Sequence, residues 1–363
     1  MENRLGLARQ LAFASGYLAI FFAPGLLVWS AMEDKAYLVC GTVLLVFPLL
    51  RVVFGPVDES GPKPLDERLA LALDRLPVVY AFALATSVFS LAWRLHETAP
   101  DAAAMIGWTL SLWAVLAFAN CAAHDLLHRR SKPDRLVGHL VAGLAGYPVL
   151  GYEHARHHRR PGNTDAAEWA RLDESAAMFV VRRLRAILRE TFGRCGLALS
   201  GPAGSPTVRT LRISTETTCA ALLAFCLSSG WRGAFVYAGS ALLVTVSVQL
   251  ITYMQHWGLG DDSGEDAVLG DYGWDNDCQF QAWITLGLSL HHAHHQEGSQ
   301  PYYQLSLRSD SPRSPAGYLL LLITALIPPL WRRVMHPALA YWREQKGIPL
   351  SAGRRLVCVA FYK

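Results

Sequence analysis

The sequence contains little charge for its length. Of its 363 residues only 17% are charged, whereas 52% are hydrophobic; an ordinary soluble domain has roughly a quarter charged. The mean hydropathy is +0.22. The net charge is only +4, and no basic patch with interleaved aromatic residues or known binding motif is present, which argues against a nucleic-acid partner. The composition therefore predicts an integral membrane protein.

Cysteine motifs are also absent. The seven cysteines are scattered and form no Cys-x-x-Cys pair, which excludes a zinc ribbon, a rubredoxin-like iron site and a thioredoxin-like motif. No Gly-x-Gly-x-x-Gly loop is present, so the dinucleotide-binding fingerprint is missing. An odd, scattered set of thiols is typical of reduced cysteines. Arg4 and Arg9 precede an apolar run that is too long for a signal-peptide core, so we expect no cleaved signal.

Long apolar runs predict six membrane helices, because one span needs about 20 mostly apolar residues. The predicted spans are residues 11–32, 36–54, 77–95, 103–122, 214–229 and 231–254. The last two are separated only at Gly230. A polar linker is predicted from about 55 to 76. The shorter run 136–151 predicts a re-entrant or capping segment, and 316–331 predicts a segment that lies against the membrane.

The distribution of Lys and Arg predicts the orientation. Residues 129–215 contain fifteen Lys or Arg against seven Asp or Glu, and the loop 96–102 contains no Lys or Arg. We therefore expect both termini, the linker and the segments 123–213 and 255–363 on the cytoplasmic side. The expected fold class is all-α: one membrane-embedded domain over residues 1–363, with about six transmembrane helices and a cytoplasmic helical cap. Within this cap, Arg alternates with apolar residues at helical spacing over 180–190, which predicts a helix in the headgroup layer or a solvated basic helix.

The histidines of the sequence are clustered. Eight of its thirteen histidines fall in three clusters with spacings of three or four residues, and a ninth ends a long apolar run. These nine are His124, His128, His154, His157, His158, His256, His291, His294 and His295. Residues three or four apart share a helix face, and neutral imidazole is a strong ligand for transition metals. We therefore expect the nine side chains to converge on metal.

The remaining histidines do not follow this pattern. His96, His139 and His336 are isolated, and we interpret them as hydrogen-bonded polar residues. His292 lies off the face that its cluster shares, so we interpret it as an incidental neighbour. Metal-bound imidazoles usually donate their second N–H to a carboxylate or a carbonyl. The candidates for this role are Asp125, Glu153, Asp165, Asn276 and Asp277.

Nine imidazoles are too many ligands for one ion. Zinc sites take at most four protein ligands, so a single zinc would leave about half of the histidines unused. No thiolate accompanies the clusters, which argues against an iron–sulfur centre. Two irons with four or five imidazoles each would use the whole set. Soluble di-iron bundles rely on Glu and Glu-x-x-His, so this site would be unusually rich in histidine.

The motifs around these histidines resemble those of the membrane-bound di-iron alkane and xylene monooxygenases, a group related to the integral-membrane fatty-acid desaturases. The similar segments are His124-Asp-Leu-Leu-His128, Glu153-His-x-x-His-His158, Gln255-His-Trp-Gly, Leu290-His-x-x-His-His295 and the Ile-Pro-Pro-Leu-Trp run at 327–331. Three positions depart from the group's pattern. Asp125 replaces the usual Glu, the second cluster has a two-residue gap, and Trp257 stands where Tyr is common.

This resemblance implies a function. It implies two Fe ions held by the nine histidines, and O₂-dependent hydroxylation of an unactivated C–H bond in an apolar substrate from the bilayer, a medium-chain alkane or an alkyl-substituted aromatic. It also implies an external electron donor, a rubredoxin or ferredoxin with its NAD(P)H-dependent reductase, and a place in a bacterial inner membrane. Trp108, Trp113 and Phe118 are candidates for setting the depth of the substrate path.

Three alternatives remain open at the level of the sequence. The same di-iron site would also suit desaturation or oxidative decarboxylation of a fatty acid, with the cytoplasmic arginines as a carboxylate anchor. A membrane zinc hydrolase of lipid amides or esters would use fewer of the histidines. A metal carrier or transporter would bind metal without catalysis.

Overall fold

Helices provide the regular structure of residues 2–59, 65–202, 204–260 and 272–347, the parts of the chain that the computed structural model describes. No strand occurs in these ranges, which confirms the predicted all-α class. The long helices are α1 (Gly6–Met32), α3 (Glu67–Thr98), α4 (Ala102–His128) and α9 (Pro206–His256). The shorter helices are α2 (Leu38–Phe54), α5 (Lys132–Leu144), α6 (Leu150–Arg159), α7 (Ala176–Phe192), α8 (Leu197–Ser200), α10 (Gln279–Ile284), α11 (His291–Gln296), α12 (Tyr318–Ala325) and α13 (Pro328–Gln345).

The four long helices are apolar enough to cross a membrane. The faces that they turn away from the bundle are apolar too: Phe82 is 73% exposed and Leu242 is 64% exposed. Extended apolar surface of this kind is typical of contact with lipid. The chain is therefore an integral membrane protein. The predicted span 36–54 corresponds to α2, which is apolar but shorter than the other four.

α9 folds back on itself at the predicted break. Ser229 and Gly230 leave the helical conformation, and Gly230 has a φ of +61°. The rings of Phe225 and Tyr237, on either side of this turn, lie 5.2 Å apart, whereas twelve residues of straight helix would separate them by about 18 Å. The two limbs of α9 contain the predicted spans 214–229 and 231–254.

Two helices, α3 and α4, extend beyond their predicted spans, because polar turns continue each helix past its apolar run. α3 begins at Glu67, inside the predicted linker 55–76, where Asp66 caps the helix by accepting a hydrogen bond from the backbone N–H of Arg68. α4 continues beyond its predicted end at residue 122 as far as His128. The linker is therefore shorter than predicted, and the first two candidate ligands stand on a membrane helix.

The turns that join the long helices meet at the end of the bundle opposite His128. Arg94 on α3 pairs with Asp34, in the turn after α1, at 3.1 Å. The Nδ1 atom of His96 lies 2.6 Å from the backbone carbonyl oxygen of Ser228, beside the turn of α9. α4 starts near this end and finishes at His128. The candidate metal ligands therefore gather at the other end.

The segment 136–151 forms a cap built from α5, a turn and the start of α6. α5 packs against α4 and α9, and this close approach requires Gly143, where a Cβ would lie 2.5 Å from the backbone oxygen of Ser214. Gly146, with a φ of +75°, then turns the chain toward α6. α6 contacts α4, so the second histidine cluster is brought to the end of the first.

The segment 316–331 contains α12 and the start of α13. Leu320 and Ile323 on α12 are each about half exposed, at 52% and 51%, and Leu326 between the helices is 65% exposed. Such an apolar outer face fits the predicted position against the membrane.

Candidate metal centre

The first pair of histidines lies on the last two turns of α4. His124 and His128 are four residues apart, so they share one helix face. Their ring centroids lie 4.9 Å apart. Arg129 then ends the helix in an extended conformation. The end of α4 therefore presents two imidazoles in the same direction.

α6 carries the second cluster and divides it between two directions. His154 and His158 are four residues apart and share a face, whereas His157 points to the adjacent face. The ring of His154 lies 4.3 Å from that of His124 on α4, measured between centroids. The His-x-x-His-His spacing thus sends two ligands to one side and one ligand to the other.

α11 divides the third cluster in the opposite sense. His291 and His295 share a face, and His294 points to the adjacent one. The ring of His294 lies 4.6 Å from that of His124, whereas the ring of His291 lies 4.7 Å from that of His256. His256 ends α9 and is fully buried.

The nine histidines form two groups. Within each group, one ring nitrogen from every histidine lies within 4.8 Å of those of the other members. The five-histidine group consists of His124, His128, His154, His158 and His294. The four-histidine group consists of His157, His256, His291 and His295. The groups adjoin each other, since the rings of His158 and His295 are 4.9 Å apart. Every histidine that the sequence predicts as a ligand is in one of the groups, and His96, His139, His292 and His336 are in neither.

The spacing of the nitrogen atoms suits a shared metal ion. In the four-histidine group, Nε2 of His291 lies 2.8 Å from Nε2 of His256 and 3.0 Å from Nε2 of His295. In the five-histidine group, Nε2 of His158 lies 3.1 Å from Nε2 of His294. Two nitrogens bound to one ion at about 2.1 Å stand roughly 3 Å apart. The donor set therefore fits two metal ions, one in each group.

Burial keeps the imidazoles of α6 and α11 in the neutral form. It lowers the pKa of His158 to about 4. Burial, together with the neighbouring imidazoles, lowers the pKa well below the usual value for His154, His157, His291, His294 and His295. Neutral imidazole is the form that binds a metal ion. These side chains are therefore ready to act as ligands at neutral pH.

The sequence pattern of the fatty acid desaturase family matches residues 99–321. This stretch is more than half of the chain, and it contains both histidine groups. The chain belongs to the fatty acid desaturase family.

Proteins with sequences similar to this chain include several alkane 1-monooxygenases. Alkane 1-monooxygenase 1 of Pseudomonas aeruginosa is 29% identical over 264 residues, which cover 68% of this chain and 67% of the relative. Alkane 1-monooxygenase 2 of the same organism is 25% identical over 361 residues, which cover 93% and 94%. The xylene/toluene monooxygenase hydroxylase component of Pseudomonas putida is 24% identical over 247 residues, which cover 66% and 65%. These similarities confirm the resemblance that the histidine motifs indicate.

Two of the predicted hydrogen-bonding partners stand close to the candidate ligands of this desaturase-family member. Asp125 follows His124 and pairs with Arg129 at 2.8 Å. Glu153 precedes His154 and is buried, where it pairs with Arg183 at 2.8 Å and accepts a hydrogen bond from Tyr147. Asp125 therefore pairs within the end of α4, whereas Glu153 connects α6 to α7.

The other three predicted partners lie further out. Asp165 has a side chain 92% exposed and pairs with Arg171 at 3.1 Å. Asn276 is buried and donates to the backbone oxygen of residue 316 at 2.8 Å. Asp277 pairs with Arg51 on α2 at 2.6 Å. These contacts fix the segment before α10 and its neighbours.

A buried network of ion pairs behind the four-histidine group escaped sequence reasoning. Arg183, in the predicted basic helix 180–190, has a side chain only 2% exposed; the expectation of a headgroup or solvent environment is wrong for this residue. It pairs with Glu153 and, at 2.9 Å, with Glu168. Arg156 on α6 also pairs with Glu168, at 2.5 Å. Burial raises the pKa of Glu168, and the two arginines oppose that effect.

Glu168 is also the carboxylate next to His157, a candidate ligand. Its Oε2 atom lies 3.9 Å from Nδ1 of His157, and that nitrogen is buried without a hydrogen-bond partner among the described residues. The adjacent Trp169 stacks on His256, with ring centroids 4.1 Å apart. Both residues come from the loop after α6. The sequence signal was an acidic and aromatic pair close behind the second cluster, which sequence reasoning did not use.

A buried acid supports α11 in a similar way. Asp275 is fully buried and accepts a hydrogen bond from the backbone N–H of His292 at 2.7 Å. Burial raises the pKa of Asp275 to about 7, although the hydrogen bonds that it accepts lower this pKa. His292 itself stacks on Tyr272, with ring centroids 4.8 Å apart. It therefore helps to hold the start of α11 rather than joining either histidine group.

An apolar cavity of about 210 Å³ opens between α2, α4, α9, α10 and α12. Its wall includes Trp113 and Phe118, two of the residues predicted to set the depth of a substrate path. The third, Trp108, is fully buried in the helix core instead. Leu288 lines both this cavity and a smaller pocket that contains His124 and several other ligands. The apolar cavity therefore lies next to the five-histidine group.

A polar cleft also reaches this five-histidine group. It has a volume of about 340 Å³ and includes Asp74, Arg75 and Ser131 in its wall. It shares Asp125 and His128 with the small pocket. The five-histidine group of this desaturase-family member thus adjoins both an apolar cavity in the helix bundle and a polar cleft.

Proposed function

We propose that this chain is a membrane-bound non-haem di-iron monooxygenase, which uses O₂ to hydroxylate an unactivated C–H bond of an apolar substrate. The observation that carries the proposal is the arrangement of nine histidines in two adjoining groups beside an apolar cavity. The named activity of the relatives, alkane 1-monooxygenase, supports it. The overall reaction would convert R–H, O₂, two electrons and two protons into R–OH and water.

The proposed ligands are the nine histidines, five for one iron and four for the other. Iron in a site of imidazole ligands would supply the activation of O₂. A single zinc would use at most four of these side chains, so the ligand count favours two irons over a zinc hydrolase. The helices α4, α6, α9 and α11 would hold the ligands in place, which limits reorganisation of the site during turnover.

The proposed substrate is a medium-chain alkane or an alkyl-substituted aromatic that enters from the bilayer. The cavity wall is almost wholly apolar, with Phe47, Trp113, Phe118 and Ile251 among its residues. A hydrocarbon gains free energy when it leaves water for such a wall, and enclosure by these side chains excludes water from the reacting carbon. Leu288 stands between the cavity and the five-histidine group, so we infer that the reacting carbon approaches this residue.

The electrons would come from outside the chain. We propose a rubredoxin or a ferredoxin with its NAD(P)H-dependent reductase as the donor, because the sequence has neither a dinucleotide loop nor a cysteine cluster. The polar cleft beside His128 is the side from which such a carrier could approach the metal centre. The excess of Lys and Arg over Asp and Glu in residues 129–215, at this end of the bundle, would favour an acidic partner.

We further propose that the chain is one domain with six spans in a bacterial inner membrane, and that both termini and the metal centre face the cytoplasm. The two limbs of α9 and the apolar α2 support the six spans. The excess of Lys and Arg in 129–215, at the histidine end of the bundle, supports the orientation.

The decisive experiment combines product analysis with metal analysis. Cells that express the chain with a donor and a reductase would be fed alkanes, alkylbenzenes and fatty acids under ¹⁸O₂. We expect alcohols labelled with ¹⁸O and about two irons per purified chain. Alkenes or shortened chains from fatty acids would replace the proposal with a desaturase or a decarboxylase. One zinc per chain and O₂-independent release of acid or amine would replace it with a hydrolase.

A further inference from the structure

An indole ring lies against the candidate ligands of the four-histidine group. The ring of Trp169 stacks on the imidazole of His256, with centroids 4.1 Å apart and planes 25° apart. The same indole lies 6.2 Å from the ring of His295 and 6.4 Å from that of His157, measured between centroids. Trp169 thus contacts one candidate ligand and lies near two others, and it forms one wall of this group.

The loop after α6 holds Trp169 in this position. The backbone N–H of Trp169 donates to the carbonyl oxygen of Asn163 at 3.3 Å, and its carbonyl oxygen accepts from Arg182 on α7 at 3.0 Å. The preceding residue, Glu168, pairs with Arg183 at 2.9 Å. The side chain of Trp169 is fully buried, and its indole N–H has no hydrogen-bond partner among the described residues. Stacking, rather than a hydrogen bond, therefore sets the orientation of the ring.

Trp169 lies apart from the proposed substrate cavity. That cavity is lined by α2, α4, α9, α10 and α12 and adjoins the five-histidine group, whereas Trp169 comes from the loop after α6 and contacts the four-histidine group. The two groups adjoin each other through His158 and His295, whose rings are 4.9 Å apart. The proposed substrate and the indole therefore meet the same candidate metal centre at different groups, and they do not compete for space.

The chemistry of indole makes Trp169 vulnerable beside a centre that activates O₂. Indole is the most electron-rich of the aromatic side chains, which is why Trp is the best aromatic partner for a cation. When a substrate fills the cavity, O₂ activation ends in hydroxylation of its C–H bond. When no substrate is bound, the oxidising equivalents have to be consumed by another group, and the buried site keeps external reductants away from them.

We propose that Trp169 is a self-oxidation site, whose indole is hydroxylated in place of the substrate when the centre turns over without one. The proposal rests on the function proposed above and adds a modification site to it. One C–H bond of the indole becomes C–OH. The ring supplies two electrons and the external rubredoxin or ferredoxin supplies two, so that the second oxygen atom of O₂ leaves as water with two protons. Oxidation of Trp169 spares the imidazole of His256, whose oxidation would remove a metal ligand.

Peptide mass spectrometry can locate this modification without ambiguity. Trypsin should release Trp169 in the peptide 160–171, which contains no His, Met, Cys or second aromatic residue. The full-length holoenzyme in lipid nanodiscs, with donor and reductase, would be run under ¹⁸O₂ with and without n-octane. We expect this peptide to gain one ¹⁸O atom without n-octane and to stay unmodified when n-octane saturates the enzyme. Trp108, fully buried in the helix core, should stay unmodified in both. Unlabelled oxygen on Trp169 would indicate oxidation during handling and overturn the proposal.

Two variants test whether the oxidation protects the centre. Trp169→Phe keeps an aromatic ring beside His256 and removes the indole. Its iron content, relative to its own starting value, should therefore fall faster than that of wild type during turnover without substrate. Trp257→Phe is the matched control, since Trp257 is also fully buried but stacks on His336, which is in neither histidine group. This control should lose iron at the wild-type rate; equal rates in all three proteins would contradict the protective role.

A further measurement does not depend on turnover. Full-length protein loaded with paramagnetic Co²⁺ should fluoresce less than protein loaded with Zn²⁺, and this difference should shrink in Trp169→Phe but not in Trp257→Phe. An unchanged difference in Trp169→Phe would show that its ring does not lie beside the metal and would overturn the proposal.

The two substrate arms separate this proposal from the proposed function. If n-octane is hydroxylated and Trp169 stays unmodified without it, the self-oxidation fails and the proposed function stands. If Trp169 gains ¹⁸O but n-octane is not hydroxylated, the self-oxidation stands and the proposed substrate fails. If neither is oxidised, both fail.

Discussion

At the scale of single residues, His157 offers the sharpest test of the two-group arrangement. It is the only member of the four-histidine group on α6, while its neighbour His158 belongs to the other group. We expect His157→Ala to lose the metal of the four-histidine group and hydroxylation activity, and to retain the helical content. Elemental analysis and circular dichroism would measure these effects. His96→Ala, at the far end of the bundle, should retain both metals; full activity of His157→Ala would contradict the ligand assignment.

Glu168 tests whether the buried ion pairs position a ligand. Its carboxylate lies near Nδ1 of His157 and is held by Arg156 and Arg183. Loss of a carboxylate that supports a metal-bound histidine typically lowers metal affinity by about 10–100-fold. We expect Glu168→Gln to lose metal faster to a chelator than wild type, as followed by metal content over time. The matched control is Asp165→Asn at the exposed surface; equal loss rates in all three proteins would rule out this role.

The site residues that could be predicted from the sequence recur at regular spacings, and those that could not be predicted do not. The nine candidate ligands were visible because spacings of three and four residues repeat along the chain. Glu168 and Asp275 carry no such repeat. They come from irregular loops, and only the packing of α6, α7 and α11 brings them to the histidines. Asp165, a predicted partner because it follows the second cluster closely in sequence, has an exposed side chain, whereas Glu168, which the sequence analysis does not name, lies next to His157.

At the scale of helices, the turn of α9 has a specific backbone requirement. Gly230 has φ +61° and ψ −142°, a region that residues with a side chain adopt only with strain of about 1–3 kcal/mol. A Cβ added at this position would meet no atom within 4 Å, so the strain would be purely conformational. We expect Gly230→Ala to lower the stability by about that amount in thermal unfolding in detergent.

Gly25→Ala provides the matched control, since Gly25 lies within α1 and a Cβ there also meets nothing within 4 Å. In a regular helix the same change should be neutral or stabilising by about 0.5–1 kcal/mol. Similar unfolding midpoints for the two variants would contradict the hairpin turn.

Helical elements were predictable where the apolar signal was long. Hydropathy located α1, α3, α4 and the two limbs of α9, because each contains an apolar run of near-membrane length. It placed the end of α4 too early and the start of α3 too late, since polar turns continue a helix without any change in hydropathy. It also could not show that α7 turns Arg183 inward, because an inward arginine and a solvated one have the same sequence pattern.

At the scale of the whole molecule, the candidate metal centre connects parts of the chain that are far apart in sequence. Each group combines ligands from the α4–α6 region with ligands from residues after 255. A metal ion bound in this way stabilises the folded state by about 2.7 kcal/mol when its free concentration is 100 times Kd. Without it, buried imidazoles face one another with no shared ligand, whereas the far end of the bundle retains its own contacts, such as Arg94 with Asp34.

We therefore expect metal removal to loosen the molecule at one end only. Hydrogen exchange followed by mass spectrometry, with and without chelation, should show faster exchange in α6 and α11 and unchanged exchange around the turn of α9. Readdition of Fe²⁺ under anaerobic conditions should restore protection, because the ligands come from helices that the membrane bundle keeps close together. Loss of protection along the whole chain would mean that the bundle itself depends on metal. No change in α6 or α11 would mean that the two histidine groups do not hold the ions.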